Sequence, residues 1–292
     1  VLFVIPWGRH WIIGTTDTDW HYDKAHPSAT ATDIQYVLDH VNAVLDDPIT
    51  HDDIEGVYVG LRPLLASDKE STTKLSREHV VVKPKPGLVL VAGGKWTTYR
   101  VMAHDAVDAA VEELNATAGE GSIPASVTAS VPLLGASGYK AAWNRRTRTA
   151  ARAGLPKPVV EHLLNRYGSM ADDLLAIIAA DPAQAESLPG NPDYLLAEVT
   201  YAVTHEGALH IEDVLARRTR FTIETRDRGL EAAAVVGKIM GKLLGWSAAT
   251  EKKEVANFRL GIEAEFAAEQ QTTDEAANAI RTAAPSITEM PV

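Results

Sequence analysis

The chain has 292 residues, 46% hydrophobic and 23% charged, enough for two ordinary domains and a substantial core. Its 39 acidic and 28 basic side chains leave a formal net charge of −11, which argues against general nucleic-acid binding, since that needs a basic footprint. There is no cysteine, so disulfides, thiolate chemistry and cysteine metal sites are excluded, in keeping with a reducing cytoplasm.

From the N-terminus, Val1 to Pro6 reads as a strand and Trp11-Ile12-Ile13-Gly14 as its partner, with Gly8-Arg9-His10 as the turn of a hairpin. Thr15 to Asp19 is a polar loop. A helix begins at Ala31-Thr32-Asp33, repeats Ile34, Val37, Leu38, Val41 and Leu45, and stops at Asp46-Asp47-Pro48. His51-Asp52-Asp53 has metal-ligand chemistry, but contiguous residues rarely converge on one ion, so it reads as a solvated loop and no metal site is predicted. Ile54 to Leu61 reads as a strand ended by Pro63, which would fix Arg62 at the strand end. Ser76-Arg77-Glu78-His79 leads into a further strand, Val80 to Lys83.

The most informative stretch follows. Leu88 to Ala92 is a continuous apolar run, as in a strand buried on both faces. Gly93 and Gly94 break it, permitting positive φ and a close backbone approach to a ligand. Thr97 or Thr98 caps a helix over Tyr99 to Leu114, with Ala103, Ala106, Val107, Ala110, Val111 and Leu114 on one face. Its free N–H groups point back at the glycines and attract negative charge. After a Gly/Ala-rich linker, the pattern from Lys140 is almost wholly helical, with periodic segments at Val159–Tyr167, Ala171–Ala180, Tyr194–His205, Ile211–Arg218, Leu230–Leu244 and Glu251–Ala268.

Three motifs carry a family resemblance. Gly93-Gly94-Lys95-Trp96-Thr97-Thr98-Tyr99-Arg100 closely resembles the last strand-to-helix junction of FAD-dependent glycerol-3-phosphate dehydrogenases. Ile5-Pro6-Trp7 with Gly14-Thr15-Thr16-Asp17 resembles the sheet that roofs the substrate cavity in that family. Glu206 to Arg220 is similar to a segment of the family's C-terminal cap domain, where the ordinary reading of Arg217, Arg218 and Arg220 is helix-end cations and salt bridges.

The resemblance implies a mixed α+β fold. Residues 1–122 would be the C-terminal part of an FAD- and substrate-binding α/β domain, 123–269 an all-helical cap domain, and 270–292 a disordered tail. It implies FAD as cofactor, with Gly93, Gly94, Lys95, Thr97 and Thr98 at the flavin ring. Arg62, Arg77 and Lys95 match the family's substrate-binding cations for glycerol 3-phosphate, a small dianion. The catalytic base stays unassigned: His79 is conceivable, but a structural role is the commoner one for such a histidine. A quinone would take the electrons, at a cytoplasmic site with peripheral contact to the inner face of the cell membrane. Homodimerisation stays open.

No Gly-x-Gly-x-x-Gly follows a strand, and the chain opens at Val1 inside an apolar run without a methionine. The expectation is therefore a C-terminal portion whose upstream part carries the ADP half of the FAD site, inactive by itself. No apolar run approaches bilayer length, no signal peptide is read, and no basic amphipathic helix stands out as a membrane contact. Three alternatives remain: an oxidase passing electrons to oxygen, an amino-acid-oxidase-like FAD enzyme, and a non-catalytic helical interaction module.

Overall fold

A computed structural model describes residues 2–62, 78–118 and 123–285. It is mixed and mostly helical, and it forms two compact units: residues 1–60 with 138–292, and residues 61–137. In the first of these, residues 1–60 pack with the helical portion.

In the larger unit, β1 (Phe3–Trp7) and β2 (His10–Gly14) pair antiparallel from Phe3↔Gly14 to Trp7↔His10, as the sequence predicts. Helix α1 (Ala31–Asn42) starts on a capping box in which Thr30 Oγ1 accepts from the Asp33 N–H and Asp33 accepts from the Thr30 N–H. Leu38 and Val41 are its buried contacts. The predicted strand at Ile54–Leu61 is not formed over its described residues. Thr50 caps a 3-10 turn at His51–Asp53, and the extended chain beyond lies on another segment's backbone. A Cβ on Gly56 would stand 2.6 Å from Ile223 Cα, an approach only glycine permits.

The helices are α3 (Tyr139–Ala153), α4 (Lys157–Tyr167), α5 (Ala171–Ala180), α6 (Leu196–Thr204), α7 (Ala233–Leu244), α8 (Ala248–Ala268) and α9 (Asp274–Ala283). Their core has two clusters. One joins Leu163, Leu174 and Tyr201; the other gathers Tyr194, Ile211, Phe221, Val236, Met240 and Phe258. Each fully buried leucine, valine or phenylalanine here is worth about 1.5–3 kcal/mol.

Three details depart from the sequence reading, and a fourth adds to it. Tyr194 and Leu195 belong to a small hairpin, β5 (Ser187–Leu188) with β6 (Asn191–Leu195), so the helix begins at Leu196; Gly190 turns the hairpin at φ +88°. Asp213–Arg218 is π-helical, with Thr219 Oγ1 donating to the Val214 and Leu215 carbonyls. The tail expected to be disordered from 270 instead forms α9, capped by Thr273 and seated on α8 through Arg281, which donates to the Gly261 carbonyl and pairs with Glu265. Finally, α3 is a strongly basic helix, with Lys140, Arg145, Arg146, Arg148 and Arg152 and no acidic residue.

In the smaller unit, β3 (His79–Lys85) and β4 (Leu88–Gly93) form a two-stranded antiparallel ladder, and α2 (Tyr99–Ala118) packs on it. β4 is not buried on both faces. Leu88, Leu90 and Val91 are 39%, 48% and 38% exposed, since one helix covers only one face of a two-stranded sheet. The apolar face predicted for α2 is also not its packed face: Val107 and Leu114 are exposed. The helix is held to the strands instead by Met102 and by polar bonds. Asp105 meets His79, Glu112 and Glu113 meet Lys83, and Glu113 accepts from the Gly87 N–H.

Candidate functional site

The junction from β4 to α2 is where the predicted cofactor residues lie. Gly93 and Gly94 have φ of +76° and +87°, conformations that disfavour any side chain. A single 3-10 turn, Trp96–Thr98, then leads into α2. Neither threonine caps α2 by accepting from its first turn. Thr98 Oγ1 closes the preceding turn, donating to the Lys95 carbonyl at 3.0 Å and accepting from the Lys95 N–H at 3.3 Å. One side of the junction is filled from within the chain: a Cβ on Gly94 would run into Met102 Sδ and lie 2.7 Å from Met102 Cε and 3.2 Å from His79 Cβ. On the other side Lys95, Trp96, Thr97 and Thr98 are exposed.

These residues suit a flat anionic group on the solvent side. The early N–H groups of a helix have no intrahelical acceptor and favour negative charge, and Lys95 adds a cation beside them. Arg62 is exposed at the edge of the described residues, and Arg77 lies outside them. His79 bonds Asp105 at 2.8 Å through Nε2, and His104 Nδ1 bonds the other Asp105 oxygen at 3.2 Å. The His79 hydrogen bond, then that of His104, hold Asp105 below the usual carboxylate range.

The larger unit contains a buried polar network that the sequence reading missed. Glu198 is completely buried. It accepts from the Leu195 N–H at 2.8 Å, Tyr167 Oη at 2.9 Å and His162 Nε2 at 3.1 Å, with Arg166 Nε 3.7 Å away. Arg166 lies over the rings of Tyr167 and Tyr194 and donates to the Arg218 carbonyl at 2.7 Å. Burial works against its charge, but Tyr194, Tyr167 and Glu198 outweigh burial and raise its pKa. Burial also raises both tyrosines, so they remain neutral hydrogen-bond donors. Tyr194 donates to Glu224 at 2.8 Å, and Glu224 also accepts from Trp7 Nε1. The signal for this network in the sequence is a glutamate in the run Leu195 to Val203, whose other members are apolar or aromatic except Thr200.

Arg217 pairs with Glu212 and Asp213, and Arg218 Nε donates to the Glu206 carbonyl, in line with the ordinary reading of these cations. Arg220 instead stacks over Trp7 at 4.2 Å. Among the described residues no cluster of metal-ligand side chains occurs, and no helix is long and apolar enough to cross a membrane.

Two sequence-family models match the chain. Residues 1–108 match one described as FAD dependent oxidoreductase, and residues 126–251 match the C-terminal domain of alpha-glycerophosphate oxidase. Glycerol-3-phosphate dehydrogenase 2 of Mycobacterium bovis is 52% identical over 285 residues, covering 98% of this chain and 48% of that protein. A mitochondrial glycerol-3-phosphate dehydrogenase of Mus musculus is 33% identical over 262 residues, covering 87% of this chain and 35% of that protein. The crystal structure of the glycerol-3-phosphate dehydrogenase from Bacillus halodurans, complexed with FAD, matches with a TM-score of 0.71 at 28% identity, over 90% of this chain and 50% of that one. The chain thus spans about half the length of the relatives it matches. Its motifs, its fold and these likenesses agree: the chain belongs to the glycerol-3-phosphate dehydrogenase family of FAD-dependent oxidoreductases.

Proposed function

We propose that the protein in its full length oxidises sn-glycerol 3-phosphate to dihydroxyacetone phosphate. The carrying observation is 52% identity, over 98% of the chain, to a protein named for that activity. When bound, FAD would supply the acceptor for the hydride leaving C2 of the substrate, the hydroxyl proton passing to a base that is not assigned to a residue of this chain, and the electrons would go on to a quinone. This chain's own residues bind and orient. The first turn after Gly94 offers N–H groups and Lys95 to the cofactor's electron-rich edge, where they stabilise negative charge. Arg62, Arg77 and Lys95 supply positive charge for the substrate phosphate, arginine matching its oxygens in a fork. The division near residue 122 belongs to the same reading, supported by the separate family models matched on either side of it. So does a peripheral place on the inner face of a membrane, where a quinone is reached.

One observation favours a second reading. The model matched by residues 126–251 is named for an oxidase, which would pass the electrons to oxygen. The test is anaerobic mixing of the full-length, FAD-loaded protein with glycerol 3-phosphate, followed by turnover with a quinone analogue or oxygen. Bleaching of the flavin band by glycerol 3-phosphate, but not by glycerol, is the expected result. A flavin left oxidised by glycerol 3-phosphate would overturn the substrate assignment. Stoichiometric hydrogen peroxide with little quinone reduction would select the oxidase reading.

A further inference from the structure

In a chain of net charge −11, residues 139–157 contain six cations, Lys140, Arg145, Arg146, Arg148, Arg152 and Lys157, and no acidic residue. Two of these are engaged: Arg146 bonds Glu161 at 2.6 Å and stacks on Trp143, and Lys157 stands 3.3 Å from Glu161. Arg145, Arg148 and Arg152 are exposed, and among the described residues no ion pair engages them. Their spacing of three and four places them on one face of α3, along about 10 Å of helix. Like charges in that register repel one another, so the arrangement is unfavourable until an anion joins it.

All three line one groove of about 260 Å3 between α3 and the pair α4 and α5. Thr149 lies among them, Val160, Leu163, Leu164 and Leu175 form an apolar wall, and Asp172 is the single acid. Asp172 sits in the first turn of α5, where the helix's own N–H groups favour its negative charge. Three guanidinium groups less one carboxylate leave the groove two positive charges in excess. We propose that this groove binds a compact phosphate-bearing dianion, with Arg145, Arg148 and Arg152 as its forked donors. Arginine rather than lysine suits the planar pairing of phosphate oxygens, and the groove's size admits a diphosphate or a small phosphate ester. The arginine face of α3 carries no large apolar residue (Ala141 and Asn144 lie beside it), and the chain's net charge is negative; both argue against a bilayer as the occupant.

The proposal uses none of the substrate cations proposed above and does not depend on that reading. The test is calorimetric titration of the full-length, FAD-loaded protein with pyrophosphate, for the wild type, Arg148→Gln/Arg152→Gln and Arg217→Gln. Removing two charged donors should weaken binding at least about tenfold. Arg217→Gln, in the same unit but already paired with Glu212 and Asp213, should bind as the wild type does. With exposed positions changed, the melting temperature without pyrophosphate should stay the same, so that lost binding is not lost folding. Failure of the wild type to bind saturably, or equal binding by Arg148→Gln/Arg152→Gln, overturns the proposal; the latter assigns the phosphate to another site, the substrate pocket included. Adsorption to phosphatidylglycerol vesicles that pyrophosphate does not reverse, and that the double substitution abolishes, overturns it in favour of a lipid surface.

Discussion

Trp7 and Glu224, 217 positions apart in sequence, are joined by a hydrogen bond of 2.9 Å from the indole Nε1 to Oε1. The other oxygen of Glu224 accepts from Tyr194 at 2.8 Å, and Arg220 covers the Trp7 ring. Arg9 adds a bond to the buried Asn191 at 3.4 Å and an ion pair to Asp193 at 3.5 Å. A two-stranded hairpin is marginal by itself in water. Here the β1–β2 hairpin, whose Phe3, Val4, Ile5 and Trp11 are exposed, gains its position from Asn191 and Asp193 of β6 and from Arg220 and Glu224.

Trp7→Phe should therefore keep the aromatic contact with Arg220 while leaving Glu224 one donor short. The expected loss is about 1–2 kcal/mol, because removing one partner strands a desolvated acceptor. Urea unfolding followed by circular dichroism gives the value, and a cycle with Glu224→Ala, which removes the acceptor, measures the coupling of the pair. A coupling energy near zero would mean that the hairpin is held by Arg220 and Arg9 instead.

Gly94→Ala tests whether this glycine serves the fold. At φ +87° a side chain is strained, and its Cβ would meet Met102. We expect a loss of at least about 1–2 kcal/mol from the left-handed backbone plus the clash. Met102→Ala in the same chain should restore the steric part and leave the backbone part. Thermal melts of the four proteins decide it. If Met102→Ala restores nothing, the site's demand for glycine is conformational only.

Asp105 gives a pH dependence of known sign. Its pKa is held below the ordinary 3.8, first by the hydrogen bond of His79 and then by that of His104. A carboxylate whose folded pKa is depressed adds stability that is complete above the unfolded value. That stability is lost as pH falls through the lower folded value. The wild type should accordingly lose stability on acidification below about pH 4 more steeply than Asp105→Asn. Hydrogen exchange of the β3, β4 and α2 amides between about pH 5 and 3 measures this locally. Parallel curves for the two proteins would show that the interaction contributes nothing.

Glu198 should be the most sensitive carboxylate in the larger unit. Glu198→Ala takes from the partly buried Arg166 the carboxylate 3.7 Å from its Nε and strands the His162 and Tyr167 donors. Breaking a fully buried pair costs about 3–5 kcal/mol, which sets the upper end for this one, while Glu198→Gln, which keeps an acceptor, should cost less. Denaturant midpoints of the two variants test that order, and a tolerated Glu198→Ala would mean that water takes over the site.

The elements legible from residues alone are those whose stabilising bonds are themselves local. Asp33 announces α1, Gly8 the first hairpin, and Gly93-Gly94 a break after a strand. Two readings failed where distant partners decide. Ile54–Leu61 has strand-like residues, but no ladder pairs its described part, and Gly56 is pressed on Ile223 instead. Val107 and Leu114 have helical spacing, yet α2 meets its strands through Met102, Asp105 and Glu113. The Glu198 network was illegible for the same reason. Its members come from Arg166, Glu198 and Glu224, and periodicity registers apolar faces, not where one carboxylate finds its donors. The turn after β4 was legible because its residues are contiguous; its role toward a cofactor, like the substrate role of Arg62, came from resemblance.

That role is open to kinetics. If Arg62 holds the substrate phosphate or the oxygen of the reacting alcohol, Arg62→Ala in the full-length protein should retain its FAD and its melting temperature. A hydrogen bond to a charged group is worth about 1.5–3 kcal/mol, and more where the partner is left desolvated. The loss in kcat/KM for glycerol 3-phosphate should therefore be at least about tenfold to a hundredfold. Arg62→Lys should recover only part of it, since a point charge cannot reproduce the guanidinium fork. Glycerol, which lacks the phosphate, should be a poor substrate for both proteins, and a phosphate-binding role predicts that the substitution changes it little. If Arg62 binds the phosphate equally in the ground state and the transition state, its removal should raise KM with kcat preserved; if it binds only in the transition state, kcat should fall. Wild-type kcat/KM in Arg62→Ala, measured by dye reduction at saturating acceptor, would remove Arg62 from the site and leave the phosphate to Lys95 and Arg77.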